Sequence, residues 1–205
     1  TQTFKSFLDA EPSANGFMTL GCPAPDGTSA HIGAYPNAAN PHNPMLDDTG
    51  KVWLTTQVRR EWQEDYPDFC LDDPAIMGTP ESPRRHHRQL GYFDTQTQET
   101  VLIDTCYGNH HLHFDADGYL WTSGDSYVLG RFNPATFDPD DPSTLGPSQD
   151  WWEVVVDSDG DGTADTPIVG FNYGIIPNIF DGTVWTAQPG IPGRIVRFDP
   201  ATEEF

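Results

Sequence analysis

The sequence predicts an all-β fold, and three observations support this prediction. A segment of about 14 residues that reads as a β-hairpin occurs three times along the chain. Turn-forming residues are abundant, since the 205 residues include 19 Gly and 19 Pro. No stretch places apolar residues at the i, i+3, i+4 and i+7 positions of an amphipathic helix over three turns. We therefore expect many short strands and few helices.

Each copy of the repeated segment consists of an apolar strand, an Asp/Gly or Thr/Gly turn, and an apolar residue followed by Trp and Thr or Leu. Gly provides the positive φ angle that a tight turn needs, so each copy is predicted to be a hairpin. The Trp holds one repeat position, which is typical of a packing residue. The copies are NPMLDDTGKVWLTT (Asn43–Thr56, with Trp53), HLHFDADGYLWTSG (His111–Gly124, with Trp121) and IPNIFDGTVWTAQ (Ile176–Gln188, with Trp185).

A second phrase follows each hairpin and sets the repeat length. It reads GYFDTQTQET from Gly91, GRFNPATFDP from Gly130 and VRFDPATEEF from Val196. Trp121 and Phe132 are 11 positions apart, and the shortest spacing from such a Phe to the next Trp is 28. Their sum, about 40, is the length of a four-stranded β-propeller blade. Residues 1–205 are therefore predicted to be part of a single β-propeller, with insertions at about 57–89 and 137–165.

Three repeats are too few to close a propeller. A closed ring needs at least four blades, and Thr1–Asn40 could supply only part of a fourth. We expect that a missing segment or a partner chain completes the ring.

The charge balance excludes several classes of partner. With 10 Lys and Arg against 31 Asp and Glu, the formal net charge is -21, which repels nucleic acid and anionic lipid surfaces. No apolar run is long enough to insert into a membrane. Because the chain begins at Thr1, either a cleaved signal peptide or a shortened sequence is expected, and an oxidising compartment fits both. With three Cys, the predicted location is extracytoplasmic, secreted or periplasmic.

An acidic loop, DSDGDGTAD, is a candidate calcium site. Its carboxylates recur at alternate positions, Gly162 falls where a calcium loop turns sharply, and Ile168 replaces the Glu that ends an EF-hand. Dense carboxylates repel one another unless a cation neutralises them, so we predict structural Ca²⁺; the alternative is a solvated acidic turn. The predicted ligands are Asp157, Asp159, Asp161, Asp165 and the carbonyl of Thr163.

Histidine and tyrosine residues precede the hairpins at corresponding positions. In a propeller the first strand of each blade starts near the axis, so these side chains should converge at the mouth of the central channel. For His113 a structural hydrogen bond is the favoured role. The candidate catalytic residues are His42, His110, His111 and Tyr173, with Asn172 lining the same mouth.

Cysteine chemistry and several common catalytic motifs find little support. Cys106 lies four residues before His110, but pairing with Cys70 or simple burial is favoured over a nucleophilic role. The chain has no G-x-S-x-G elbow, no Walker A loop and no G-x-G-x-x-G after a strand.

The phrases HHLHFDADGYLWTSGDSYVLGRFNPAT and GIIPNIFDGTVWTAQPGIPGRIVRFDPATEEF resemble the blades of virginiamycin B lyase (streptogramin lyase) type propellers. The resemblance implies a seven-bladed ring, a magnesium ion, and a channel-mouth His that removes a proton so that a cyclic depsipeptide ester opens by elimination. His42 and His110 or His111 match the repeat-initial His, and Tyr173 replaces it in the third repeat. Related gluconolactonase-like propellers make lactone chemistry a neighbouring expectation.

Two functions follow as hypotheses. The first is a metal-assisted lyase or lactonase acting on a small-molecule or peptide ligand, with Mg²⁺ or another divalent cation in the channel. His110 or His111 would be its general base, and His42 would orient the substrate or metal. The alternative is a noncatalytic ligand-binding or scaffold propeller, a subunit of a larger cell-surface or filament assembly, which the two long polar insertions favour.

Overall fold

The computed structural model describes residues 41–56, 66–84, 88–124, 126–168 and 172–205, and confirms the predicted all-β class. The expected contribution of Thr1–Asn40 to a further blade lies outside the described residues. Within the described residues, one short α-helix, α1 (Pro74–Met77), and two 3₁₀ helices, Asp68–Cys70 and Pro142–Thr144, accompany the strands. The strands are β1 (His42–Leu46), β2 (Lys51–Thr56), β3 (Gly78–Thr79), β4 (Ser82–Pro83), β5 (Gln89–Asp94), β6 (Thr100–Ile103), β7 (His111–Phe114), β8 (Leu120–Ser123), β9 (Val128–Phe132), β10 (Gln149–Glu153), β11 (Val155–Val156), β12 (Thr166–Pro167), β13 (Tyr173–Pro177), β14 (Val184–Gln188) and β15 (Arg194–Phe198).

Three antiparallel sheets follow one another along the chain, each beginning with a predicted hairpin. Sheet 1 has the order β1-β2-β5-β6, sheet 2 the order β7-β8-β9-β10, and sheet 3 the order β13-β14-β15. Two small hairpins, β3-β4 and β11-β12, lie in the connections. None of the described helices has the length and hydropathy of a transmembrane segment.

The pairing register is the same at the start of each sheet. His42 pairs with Thr55, His111 with Ser123 and Tyr173 with Ala187, so the first residue of each sheet lies opposite the residue two positions after the Trp. A register shift follows both His42 in β1 and Tyr173 in β13, whereas the pairing of β7 is regular. The three ring side chains therefore occupy equivalent positions.

The sheets pack through their Trp-bearing faces. Trp53 of sheet 1 is 1% exposed and lies 5.9 Å, ring centre to ring centre, from Phe132 of sheet 2. Trp121 of sheet 2 is equally buried and lies 6.0 Å from Phe198 of sheet 3. Burial of large aromatic rings provides much of the hydrophobic stabilisation of such an interface. The interpretation of Trp53 and Trp121 as packing residues thus agrees with their positions.

Trp185 differs from the other two repeat tryptophans. It is 39% exposed, and its neighbours on the same outward face, Ile176 and Ile195, are 64% and 78% exposed. The reason is architectural: no further sheet of the described residues covers this face of sheet 3, whereas sheets 2 and 3 cover the equivalent faces of sheets 1 and 2.

The connection between β2 and β5 is fastened to sheet 2. Cys70 and Cys106 form a disulfide with a Cα–Cα distance of 5.3 Å, which is the pairing favoured over a nucleophilic Cys106. Asp73 caps α1 by accepting a hydrogen bond from the Ala75 amide and also accepts one from the Trp151 indole at 2.6 Å. Trp151 belongs to β10, so the outer strand of sheet 2 lies inside the segment 137–165 that the repeat comparison treats as an insertion.

Candidate functional site

Four aromatic side chains meet at the edge where the first strands of the three sheets begin. The rings of His42 and His110 are stacked, with centroids 4.3 Å apart. His111 contacts both, at 5.1 Å from His42 and 4.7 Å from His110. Tyr173 closes the group, 4.4 Å from His111 and 5.1 Å from His110. The structure thus brings together all four candidate catalytic residues, which we call the ring cluster.

The cluster forms because β7 lies between β1 and β13. His42, His111 and Tyr173 are the first residues of these strands, so adjacent strands place them side by side. His110 joins them although simple strand alternation would direct it away from His111. It lies just before β7 begins, where the two-residue period of a strand no longer governs its direction.

Hydrogen bonds between sheets hold the backbone of the cluster. The fully buried Thr55 hydroxyl lies 3.2 Å from the carbonyl oxygen of His110. Its register equivalent, Ser123, donates to the Gly174 carbonyl at 2.8 Å. The Asn43 side chain also accepts a hydrogen bond from the Leu112 amide at 2.9 Å. Because each bond joins neighbouring sheets, the relative positions of the rings do not depend on one sheet alone.

The hydrogen bond between the His42 ring and the His110 backbone determines which ring nitrogen of His42 carries a proton. His42 Nδ1 lies 3.0 Å from the backbone carbonyl oxygen of His110, and a carbonyl oxygen only accepts hydrogen bonds. Nδ1 must therefore carry the proton. In the neutral ring, Nε2 then keeps its lone pair for a proton or a metal ion.

Gly124 makes room for His110. Its φ is +80°, a conformation that side-chain-bearing residues rarely adopt, and a Cβ atom built there would lie 2.5 Å from His110 Cβ. A residue with a side chain at this position would displace the His110 ring.

Asn172, which the sequence places at the channel mouth, is 0% exposed and directly precedes Tyr173. Neither its Oδ1 nor its Nδ2 atom makes a hydrogen bond to the described residues. His113, for which a structural role is favoured, is hydrogen bonded through Nδ1 to the carbonyl oxygen of Phe114 at 2.8 Å.

The ring cluster offers nitrogen ligands. One ring nitrogen from each of His42, His110 and His111 lies within 4.8 Å of the other two, and no carboxylate of the described residues joins this group. Mg²⁺ demands octahedral coordination by oxygen at about 2.0–2.1 Å and is usually held by carboxylates, phosphates and water. The three imidazoles therefore fit the Mg²⁺ implied by the family resemblance poorly, and no chemical step proposed below uses Mg²⁺.

The acidic loop connects β11 to β12. Carboxylate oxygens of Asp157, Asp159 and Asp161 lie within 4.8 Å of one another and are exposed. Asp157 accepts hydrogen bonds from the amides of Gly162 and Gly160, which lower the pKa of its carboxyl group.

Of the two remaining predicted calcium ligands, the Asp165 carboxylate does not join that group of carboxylates, and the Thr163 carbonyl stays a prediction. The amide of Thr163 donates to Asp161 at 2.8 Å, and the Asp165 carboxylate accepts from the Thr166 hydroxyl at 3.3 Å. Calcium binding by the loop stays a prediction.

Comparisons with known proteins give one match. No protein-family model matches the chain, and no curated protein matches its sequence. The chain is similar to a solved structure, the selenomethionine-substituted virginiamycin B lyase from Staphylococcus aureus, with a TM-score of 0.40 and 13% sequence identity. The match covers 78% of this chain and 41% of the lyase chain, so the chain spans less than half of that protein's length.

Proposed function

We propose that the chain is part of an extracytoplasmic β-propeller whose ring cluster is a lyase or lactonase-type site, assisted by a divalent cation. The observation that carries this proposal is the convergence of His42, His110, His111 and Tyr173 from three separate sheets at one edge. Titratable and hydrogen-bonding groups that converge from distant parts of a sequence are the usual sign of an active site.

The propeller arrangement is supported by the repetition of one packing geometry. Each sheet starts at the same register position, and each of the first two sheets buries its Trp against the next one. First strands that lie side by side are what blades placed around a common axis require. The exposed Trp185 face is then where a further blade, from a missing segment or a partner chain, would pack.

The chemistry is proton transfer from a substrate that carries an ester or lactone. In the elimination, His110 or His111 takes a proton from a carbon adjacent to the ester's alkoxy carbon. The C–H electrons form a C=C bond, the C–O bond breaks, and a carboxylate leaves. In the lactonase variant, the same imidazole takes a proton from the water that adds to the carbonyl carbon. The ring C–O bond of the tetrahedral intermediate then breaks, and the leaving alkoxide takes that proton from the imidazolium, which gives a hydroxy acid. His42 orients the substrate or the cation.

Tyr173 adds a phenol beside these imidazoles. Its side chain is 46% exposed, so a ligand can reach it from solvent. A phenolic hydroxyl can donate a hydrogen bond to the carbonyl oxygen of an ester, where negative charge develops. Tyr173 therefore complements the proton transfer assigned to the histidines.

Structural Ca²⁺ in the acidic loop and a secreted or periplasmic location belong to the same proposal. The net charge of -21 supports both, because it attracts cations and keeps a protein soluble in a saline medium. The ligand would be a small molecule or a peptide, with nucleic acid and membrane insertion excluded on charge and hydropathy.

A noncatalytic scaffold or ligand-binding propeller is the second candidate. The exposed face formed by Ile176, Trp185 and Ile195 favours it, because an apolar face of this kind is typical of a surface that binds another protein or subunit.

The experiment that separates the two candidates is an assay of the purified chain against a cyclic depsipeptide ester and a series of lactones. We expect turnover that falls about 100-fold or more in His110→Ala or His111→Ala, since general base catalysis contributes about 10²–10⁴-fold. His113→Ala, in the same strand, is the control and should retain activity. A folded chain that turns over none of these substrates would leave the binding or scaffold function.

A further inference from the structure

We infer that His42, His110 and His111 bind one late first-row transition ion of the Zn²⁺ type, in place of Mg²⁺. The inference rests on the proposed function only in that it concerns the same site, since it predicts ion binding whether or not the site is catalytic. Its test is therefore a binding measurement.

The donor atoms select the class of ion. Imidazole nitrogen suits Zn²⁺, Cu²⁺, Ni²⁺ and iron, whereas Mg²⁺ and Ca²⁺ require oxygen ligands. Three imidazoles without a carboxylate match the trihistidine sites in which Zn²⁺ keeps its fourth position open. In the described part of the chain, the group of ligand atoms around His42 contains these three nitrogens and no acidic oxygen.

The distances are short enough for one ion. The three nitrogens lie within 4.8 Å of one another. Zn–N bonds of about 2.0–2.1 Å at tetrahedral angles place ligand nitrogens about 3.3 Å apart. Side-chain rotations that bring the rings together by an ångström or so would therefore complete the site. All three residues are partly exposed, so an ion can enter from solvent.

The surroundings preorganise the ligands. His42 Nδ1 is hydrogen bonded to the His110 carbonyl oxygen, which leaves Nε2 as the nitrogen able to bind an ion. Metal-binding histidines in proteins almost always make such a bond through the other ring nitrogen. Gly124 accommodates the His110 side chain, and Thr55 lies against the His110 carbonyl. The strongly negative net charge of the molecule also attracts cations to it as a whole.

Ion binding and proton transfer compete for the same nitrogens. An imidazole nitrogen that coordinates an ion cannot accept a proton, so a loaded site would have to take its proton acceptor from elsewhere. The same histidine cannot hold the ion and act as general base at once. Because ion binding is measured without substrate, a failure to bind Zn²⁺ and a failure to turn over substrate are distinguishable results.

The test is a titration of the chelator-treated protein with Zn²⁺ by calorimetry and with Co²⁺ by absorption spectroscopy, both in excess Ca²⁺ so that the acidic loop is saturated. We expect one equivalent of Zn²⁺ to bind and Co²⁺ to give the intense visible bands of a tetrahedral site. Excess Mg²⁺ should leave both titrations unchanged. Competition by Mg²⁺, or a folded protein that binds no Zn²⁺ at this site, would overturn the inference.

Single substitutions locate the ion. His42→Ala and His111→Ala should each weaken Zn²⁺ binding about 100-fold or more, because even second-shell substitutions typically cost 10–100-fold in affinity. His113→Ala is the matched control and should bind as the parent does. His111→Gln, which retains more side-chain volume, replaces His111→Ala if that variant unfolds. Unchanged Zn²⁺ affinity in a folded His42→Ala/His111→Gln double variant would place the ion elsewhere and refute the assignment.

Discussion

At the residue scale, each of the first two hairpins has an Asp carboxylate that accepts a hydrogen bond from the indole of its own tryptophan. Asp47 accepts hydrogen bonds from the Trp53 indole at 2.8 Å and from the Lys51 amide at 2.9 Å. Asp115 repeats this arrangement with the Trp121 indole at 2.7 Å. The Asp of the repeat therefore does more than form a turn, since it fixes the ring that packs against the next sheet.

Asp47→Ala should lower the free energy of unfolding by about 1–3 kcal/mol at neutral pH, because it leaves the buried Trp53 indole and nearby amides without their acceptor. Asp48→Ala is the control, since Asp48 is the exposed neighbour in the same turn. Urea unfolding of the three proteins measures the difference. Equal stability of Asp47→Ala and Asp48→Ala would refute this role.

The contribution of Asp47 to the free energy of unfolding should also depend on pH. Burial alone would raise the pKa of Asp47, but hydrogen bonds from Trp53, Lys51 and Thr49 together lower it below the ordinary value of 3.8. A carboxyl group with a lowered folded pKa stabilises the protein fully above its unfolded pKa, and this stabilisation is lost as the pH falls through the folded pKa. The stability gap between parent and Asp47→Ala should therefore be constant above about pH 5 and shrink towards pH 3. A gap that widened with acid would contradict this sign.

Gly124→Ala tests whether the space beside His110 matters. It forces a side chain into a φ of +80° and places its Cβ against His110, so it should both destabilise the protein and weaken Zn²⁺ binding. Gly118→Ala is a close control, because Gly118 has a φ of +85° but no atom within 4 Å of the added Cβ. Both variants should lose about 1–3 kcal/mol from backbone strain. Only Gly124→Ala should lose Zn²⁺ affinity, and an equal loss in both would argue against a positioning role.

At the scale of elements, the disulfide joins the connection after β2 to the loop that leads into the ring cluster. Cys70 and Cys106 are both 0% exposed and belong to a small core with Tyr66, Ile76 and Tyr107. The bond thus anchors the insertion beside the Asp73–Trp151 hydrogen bond and the Arg84–Glu153 ion pair, which also link it to sheet 2.

Removing this disulfide should destabilise the chain. The bond joins residues 36 apart, for which loop-closure entropy gives a stabilisation of about 4 kcal/mol. Cys70→Ser/Cys106→Ser should therefore unfold at lower urea concentration than the oxidised parent. Reductant should shift the parent towards the variant and leave the variant unchanged. A parent whose stability does not respond to reductant would show that the disulfide is not present in the protein.

The acidic loop is an element whose folding should depend on Ca²⁺. Asp157, Asp159 and Asp161 concentrate three carboxylates at one exposed point, and a bound cation would relieve their repulsion. Ca²⁺ should raise the unfolding temperature and chelator should lower it, whereas Asp159→Asn/Asp161→Asn should abolish the difference. Asp138→Asn/Asp140→Asn, on another exposed acidic turn, should leave the response intact. A parent unaffected by chelator would identify the loop as a solvated turn.

The hairpins, the all-β class and the residues of the ring cluster were predictable because they depend on local sequence. A turn motif and an alternating strand specify a hairpin within 14 residues, and the repeat aligns His42, His111 and Tyr173. The position of β10 was not predictable, since Gln149–Glu153 pairs with β9 across a long loop. The sequence named His110 as a candidate beside His111, but strand alternation would place these two side chains on opposite faces. Their joint presence in the cluster depends on where β7 begins.

At the scale of the whole molecule, the Trp-bearing faces of the three sheets differ within the described residues. Sheet 1 buries Trp53 against sheet 2, and sheet 2 buries Trp121 against sheet 3. Sheet 3 presents Trp185 with Ile176 and Ile195 to solvent. The exposure of Trp185 could not be predicted from the repeat. The motif indicates where the Trp lies in its own sheet, but not whether another sheet packs against it.

This difference in burial predicts that replacing Trp53 and replacing Trp185 by Ala lower the stability of the chain by unequal amounts. Trp53→Ala should cost about 3–5 kcal/mol, as is usual for a buried aromatic residue. Trp185→Ala in the isolated chain should cost far less, since its ring is already 39% exposed. Chemical unfolding of both variants measures the difference. A cost for Trp185→Ala equal to that for Trp53→Ala would show that another sheet covers this face.

The central claim is that three sheets bring His42, His110, His111 and Tyr173 together into one chemical site. The most direct test is a crystal structure of the Zn²⁺-treated protein with diffraction data collected on both sides of the zinc absorption edge. We expect an anomalous peak between the three imidazole rings, with the Tyr173 phenol beside it. Imidazoles dispersed on separate edges, or an anomalous peak at the acidic loop alone, would contradict it.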